Sequence, residues 1–151
     1  MLRHRVATGV CFIALLTRAV AADLPLERFN RVDVAPTKTS IYIGTVSMTL
    51  PTFERHSGTY SSTYTAKVFP YFFYNERGSI SIDIPDGDLL RLQHGELVEF
   101  KGRGVNSDGE ERRIEGRAVP ADATSGKIKV RVFVSRKIQL IFNTTYRFKD
   151  R

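Results

Sequence analysis

The chain has no tryptophan, a single cysteine, two methionines and three histidines in 151 residues. One cysteine excludes a disulfide scaffold and a thiolate-ligated zinc site, because both need thiols in sets. His56 and His94 lie in no metal-ligand spacing with another histidine or a carboxylate, so a histidine-held zinc is excluded as well. No apolar run approaches the roughly 20 residues that a membrane-spanning helix needs. Charge is not scarce, at 26% of residues beside 42% hydrophobic ones. That balance rules out a disordered tail and a low-complexity fibre. A chain of this length folds as one domain and buries roughly two-thirds of its unfolded surface, so it needs no covalent staple.

The longest apolar stretch lies at the N-terminus. Arg3, His4 and Arg5 precede an apolar run over residues 6–16, and Arg18 and the small residues Ala19-Val20-Ala21-Ala22 follow it. A basic segment, a short apolar segment and a small-residue site predict a secretory signal peptide over residues 1–22, cut after Ala21 or Ala22. Val10, directly before Cys11, is too bulky for a lipoprotein attachment site. The expected product is exported, periplasmic or secreted, with no transmembrane helix left after cleavage. Three arginines leave with the signal, so the formal +7 falls to a mildly basic chain. The only thiol leaves too.

The remainder divides into an N-terminal arm over residues 23–38 and a single β domain over residues 39–151. Segments rich in Ile, Val, Thr, Tyr and Phe alternate in period two, separated by Gly, Asn and Asp clusters, which predicts an all-β fold. Ile41 and Ile43 put apolar residues at odd positions and Val46, Met48 and Leu50 at even ones, so a bulge or bend is expected beside Gly44. Asn75-Glu-Arg-Gly78 and Asn106-Ser-Asp-Gly109 share a form suited to a three-residue hairpin loop that ends in a left-handed glycine. Setting Asn106 against Glu110 places Val98, Phe100, Gly102 and Gly104 opposite Ala118, Gly116, Ile114 and Arg112. All the apolar members then share one face, and Phe100 covers the gap left by Gly116. Residues 127–134 and 138–148 alternate cleanly as two half-buried strands. One short helix is expected over residues 88–94, capped by Asp86 or Asp88 and stopped at Gly95, as a plug over one end of the β structure. About seven strands in a chain this short close most naturally as a small antiparallel β-barrel or β-sandwich.

The densest candidate site is Val68-Phe-Pro-Tyr-Phe-Phe-Tyr74. Read as a strand, it continues a core face through Tyr60, Tyr64, Ala66 and Val68 and puts Phe69, Tyr71 and Phe73 on the opposite face. Those three either line a contact surface for an apolar ligand, a glycan ring or a partner, or lie covered by the short helix or the arm. A second candidate is the basic surface formed by Arg117, Lys127, Lys129 and Arg131. Acidic residues interleave it, which fits the solvated face of amphipathic strands, and export argues against nucleic acid as its partner.

No catalytic constellation is visible. His56-Ser57-Gly58 lacks the strand-to-helix setting of a nucleophile elbow, and Asp83, Asp86 and Asp88 do not match a calcium-loop spacing. No cofactor and no metal are called for. The expected function is a non-catalytic module that binds an apolar ligand, a glycan or an envelope protein. The alternatives are a small outer-membrane β-barrel and an accessory domain of an envelope assembly, attached through its free β edges.

Overall fold

A computed structural model describes residues 22–150; the expected signal peptide, up to Ala21, lies outside the described residues. Ten strands run in chain order: β1 (Arg31–Val34), β2 (Thr37–Ile41), β3 (Gly44–Thr49), β4 (Phe53–His56), β5 (Thr59–Phe69), β6 (Glu76–Asp83), β7 (Val98–Asn106), β8 (Glu111–Pro120), β9 (Ser125–Phe133) and β10 (Gln139–Phe148). One helix, α1 (Asp86–Gln93), links β6 to β7. Every pairing is antiparallel, and the sheet curls until β5 meets both β4 and β6. The architecture is a closed barrel of eight positions, because β1 with β2, and β3 with β4, are broken halves of two long strands.

Prolines account for both breaks. Pro36 stands between β1 and β2 and Pro51 between β3 and β4, each without the N–H that a ladder requires. Pairing skips from Val32↔Phe53 to Thr37↔Met48, and between them the Thr52 hydroxyl donates to Asp33 Oδ1 at 2.6 Å. Beyond the break, β2 is laddered to β3 alone, while the upper part of β10 is laddered to β9. Two side-chain bonds tie this seam, Thr37 Oγ1 to Asn143 O at 3.0 Å and Thr144 Oγ1 to Ala35 O at 2.8 Å.

The segment around Val32 is therefore part of the wall. β1 pairs with β10 on one side and β4 on the other, which adds a position to the roughly seven strands that periodicity suggests. Next to it, Phe29 is fully buried and meets Phe148 edge-on with ring centroids 4.7 Å apart. Phe29 also accepts a hydrogen bond from the Tyr60 hydroxyl through its carbonyl. Leu89 and Leu92 of α1 are buried at this same end, which α1 and the turn at Leu26–Phe29 close.

The alternation in the strands sorts apolar side chains inward and charged ones outward. Val98, Ile114, Ala118, Val132 and Phe142 are buried in the barrel. Outward, β7 to β9 carry Glu99, Lys101, Arg103, Arg113, Glu115, Arg117, Lys127, Lys129 and Arg131. The opposite wall is almost uncharged, with Thr45, Ser47, Thr63, Thr65, Ser79 and Ser81 facing out.

The β7–β8 register agrees with the sequence reading at every position, from Val98↔Ala118 to Gly104↔Arg112, and Gly109 takes the left-handed conformation at φ 82°. Two turn readings are corrected. Gly78 lies inside β6 paired with Tyr64 and Asn106, so Asn75-Glu-Arg-Gly78 forms no hairpin loop; the β5–β6 connection is residues 70–75. The phase change near Gly44 is a two-residue hairpin turn at Tyr42-Ile43, closed by the pair Ile41↔Gly44, and not a bulge. The helix begins two residues earlier than its apolar spacing indicates and has no side-chain cap at Pro85. Asp86 instead pairs with Arg55 at 2.6 Å, and Asp88 with Arg91 at 3.2 Å.

Phe100 lies across Gly116 so closely that a β-carbon there would fall 2.4 Å from its ring and 3.1 Å from the Lys129 carbonyl. A β-carbon on Gly104 would meet nothing nearer than the Tyr64 ring at 3.6 Å, an ordinary contact. Gly116→Ala is expected to cost about 1–3 kcal/mol through overpacking. Gly104→Ala should be neutral or stabilise by about 0.5–1 kcal/mol through reduced chain entropy. The urea midpoints of the two variants test this, and similar shifts for both would refute it.

Candidate ligand cavity and aromatic rim

Eight strands enclose a space that side chains either fill or leave open for one small ligand. Here the filling is incomplete. A cavity of about 100 Å³ remains in the barrel, bounded by residues that run from Leu92 and Phe148 at the closed end to Val34, Leu50, Val130 and Phe142. Thr37 and Thr144 also border it, but both hydroxyls are spent on backbone carbonyls of the seam, which leaves their methyls to the interior. The Tyr60 hydroxyl is likewise turned away to Phe29. The lining is thus apolar throughout. Ile80, Ile128 and Val130 point inward yet are only half-buried, as expected where a wall residue finds no neighbour across the space.

The end of the barrel opposite α1 carries the aromatic segment. β5 stops at Phe69, before Pro70, and residues 72–74 form a single 3-10 turn. The Asn75 side chain holds this loop by accepting from Val68 N–H at 2.8 Å, and Tyr74 N–H donates to Tyr71 O at 3.0 Å. The expected strand alternation therefore ends at Phe69. Phe69, Phe72, Phe73 and Tyr74 remain 64–76% exposed, Tyr71 is half-buried, and the rings of Tyr71, Phe72 and Tyr74 all pack around Phe73 at 4.6–6.2 Å. Neither the helix nor the arm covers them, since both sit at the closed end.

The β2–β3 turn adds to this rim. A β-carbon on Gly44 would strike the Phe69 carbonyl and approach Pro70 Cδ at 3.2 Å, so the turn and the loop are in direct contact. Tyr42 and Ile43 at its tip are exposed, Tyr42 completely. Of the rim residues, sequence reasoning named Phe69, Tyr71 and Phe73 and missed Tyr42, Ile43, Phe72 and Tyr74. The signal for the first two was present, because turn tips ordinarily hold Gly, Asn, Asp or Ser.

On one side the mouth is filled by a polar cluster. Glu76 faces inward from β6, accepting from Tyr64 Oη at 2.5 Å, Arg112 Nη2 at 2.9 Å and Asn106 Nδ2 at 3.2 Å. Arg112 also pairs with Glu110 at 2.7 Å. Burial would raise the Glu76 pKa, but the bonds from Tyr64, Arg112 and Asn106 and the Arg112 charge outweigh it and hold the carboxyl below its usual range. Burial and the adjacent carboxylate push the Tyr64 phenol up, so it stays a donor.

The basic residues form no enclosed site. Arg117, Lys127, Lys129 and Arg131 lie on the outer face of β8 and β9, with Arg117 against Lys129 and Arg131 against Glu115. Arg113, on the same face, stacks 3.9 Å over Phe133. Asp83 accepts from Thr59, and His94 meets Asp23 at 2.6 Å, so these groups are engaged separately. Among the described residues, no three metal-ligating side chains come together.

No family model, curated protein or solved structure matches this chain. The cavity and its rim therefore rest on their own geometry.

Because the folded Glu76 pKa lies below the unfolded value, its stabilisation is complete above about pH 5 and is lost as pH falls through the folded pKa. Glu76→Gln should flatten the acid side of the stability curve below about pH 5. Chemical denaturation of both proteins from neutral to acid pH measures it, and parallel curves would show that Glu76 is not depressed.

Proposed function

We propose that this protein is a non-catalytic binding module that holds a small apolar ligand inside its barrel. The observation that carries the reading is the wholly apolar cavity of about 100 Å³ inside a barrel whose open end carries an uncovered aromatic rim. A packed core has no use for such a space, and each void of this kind lowers stability, so its retention points to an occupant. The volume suits one ring or a short stretch of alkyl chain. Engineered apolar cavities of roughly 150 Å³ take up benzene. Association is driven by removal of apolar surface from water, and the lining offers no charge to orient a polar head.

The outer-membrane alternative is disfavoured by the direction of the side chains. A lipid-facing wall that carried Lys101, Arg113, Lys129 and Arg131 would cost about 2–4 kcal/mol for each cation near the midplane. The apolar interior is also the reverse of a water-filled membrane pore.

The test is native mass spectrometry of residues 23–151, exported through the natural leader and purified without detergent. A bound extra mass is expected, and Val130→Phe, which fills the cavity from its wall, should abolish it without lowering the thermal midpoint. A ligand-free wild type that also takes up no hydrophobic dye, or takes it up no better than V130F, would overturn the proposal.

A further inference from the structure

We infer that the aromatic rim docks this protein on an anionic lipid bilayer, from which the cavity draws an acyl chain. The second clause rests on the binding reading above; the first stands on the rim itself. Six large side chains, Tyr42, Ile43, Phe69, Phe72, Phe73 and Tyr74, stand exposed on two touching loops at one end of the barrel. Contiguous apolar surface of this kind marks a binding face. Its placement on loop tips suits entry between headgroups, with Tyr42 wholly free of neighbouring atoms. Tyrosine and phenylalanine are the side chains that sit at a membrane interface, the ring among acyl carbons and any hydroxyl among headgroups.

Charge selects the lipid. No carboxylate occurs from residue 37 to 53 or from 59 to 75, the segments that build the rim and the wall below it, whereas Lys38 and Lys67 both lie there and face outward. Lys67 pairs across with Ser47, one step below Phe69, and Lys38 pairs with the same serine from the other side. The first acidic residue beyond the aromatic loop is Glu76, and it faces inward with Arg112 bound to it, which withdraws its charge from the surface. Arg136 and Lys137, with exposed Ile138, extend the cationic margin from the β9–β10 loop at the same end, where Glu110 and Glu111 at the β7–β8 turn are paired with Arg112 and Arg103 and Asp108 stands at the tip of that turn. Cations near an anionic surface each add to the attraction, and the exposed rings add the apolar part. The seam without a ladder between β2 and the upper β10 runs from this end to Thr37 and Thr144 on the border of the cavity, so a docked rim brings lipid beside the cavity wall.

The experiment is vesicle co-flotation of the protein with phosphatidylcholine vesicles that do or do not contain phosphatidylglycerol. Binding is expected to the mixed vesicles and to fall by about tenfold or more in Phe72→Ser/Phe73→Ser, whose altered side chains are exposed and leave the core untouched. Lys67→Glu should weaken binding severalfold, and Lys129→Glu, on the far wall, should leave it within about twofold. No flotation of the wild type, or flotation unchanged by F72S/F73S, overturns docking. So does wild-type capture of a protein through the rim with no affinity for vesicles. V130F separates the two readings: it should float as the wild type does while carrying no lipid. Loss of lipid loading in every protein with flotation intact would refute the cavity and leave docking standing. Loading from lipid dispersed in solution, with no flotation, would do the reverse.

Discussion

Closure of the barrel depends on four residues. Arg31–Val34 is only four residues of wall, yet it forms the ladder that joins the first half of the chain to the last strand, with Val32 set against Phe148 on one side and Phe53 on the other. Sheet edges are a hazard, and a barrel removes them only if the final seam holds. Reinforcement gathers around these residues for that reason. Phe29 packs on Phe148, Lys149 N–H donates to Arg31 O at 2.9 Å, Lys149 reaches Asp33, and Arg28 pairs with Asp150 at 2.8 Å. The exposed ion pairs add little individually. Burial of Phe29, Phe148 and Tyr60 supplies most of the closure, on the order of 1.5–3 kcal/mol for each apolar ring removed from water.

Closure at one end leaves freedom at the other. The two proline breaks interrupt the wall at Pro36 and Pro51, and Val34, Thr37, Met48 and Leu50 beside them border the cavity. The polar cluster around Glu76 fills one side of the mouth with satisfied groups and so provides rigidity there without hydrophobic packing. The unladdered seam and the aromatic loops belong to one half of the molecule, and the cavity lies deeper, reaching Val32, Leu92 and Phe148 of the half that holds the fold together.

Much of this was legible in the residues. The β7–β8 register could be read because two local signals agree, the turn at Asn106-Ser-Asp-Gly109 and the alternation on either side of it. The plug helix was legible because Leu89, Leu92 and Gly95 fall at helical spacing. The aromatic segment misled for a physical reason: alternation is a property of composition, and it runs through Pro70 although the backbone ladder cannot. β1 was obscure because four residues carry too little pattern of their own, and one of the two partners that make them a strand lies more than a hundred residues away. Asn75-Glu-Arg-Gly78 shows the converse, a sound turn signal overridden by pairing on both sides of Gly78. The cavity had no signature at all, since a residue that lines a space and one that fills it are both simply apolar.

The pairing of β1 with β10 has a kinetic consequence. Contacts between neighbouring strands of this meander are local and can form in sequence as the chain grows. The closing contact joins Val32 to Phe148, so it carries nearly the whole loop-closure entropy of the domain and must come last. Until then the β10 edge and the interior side chains stay open to water, and the protein behaves as a curved, adhesive sheet. Its passage to a finished barrel is set by the time two chain ends take to find each other.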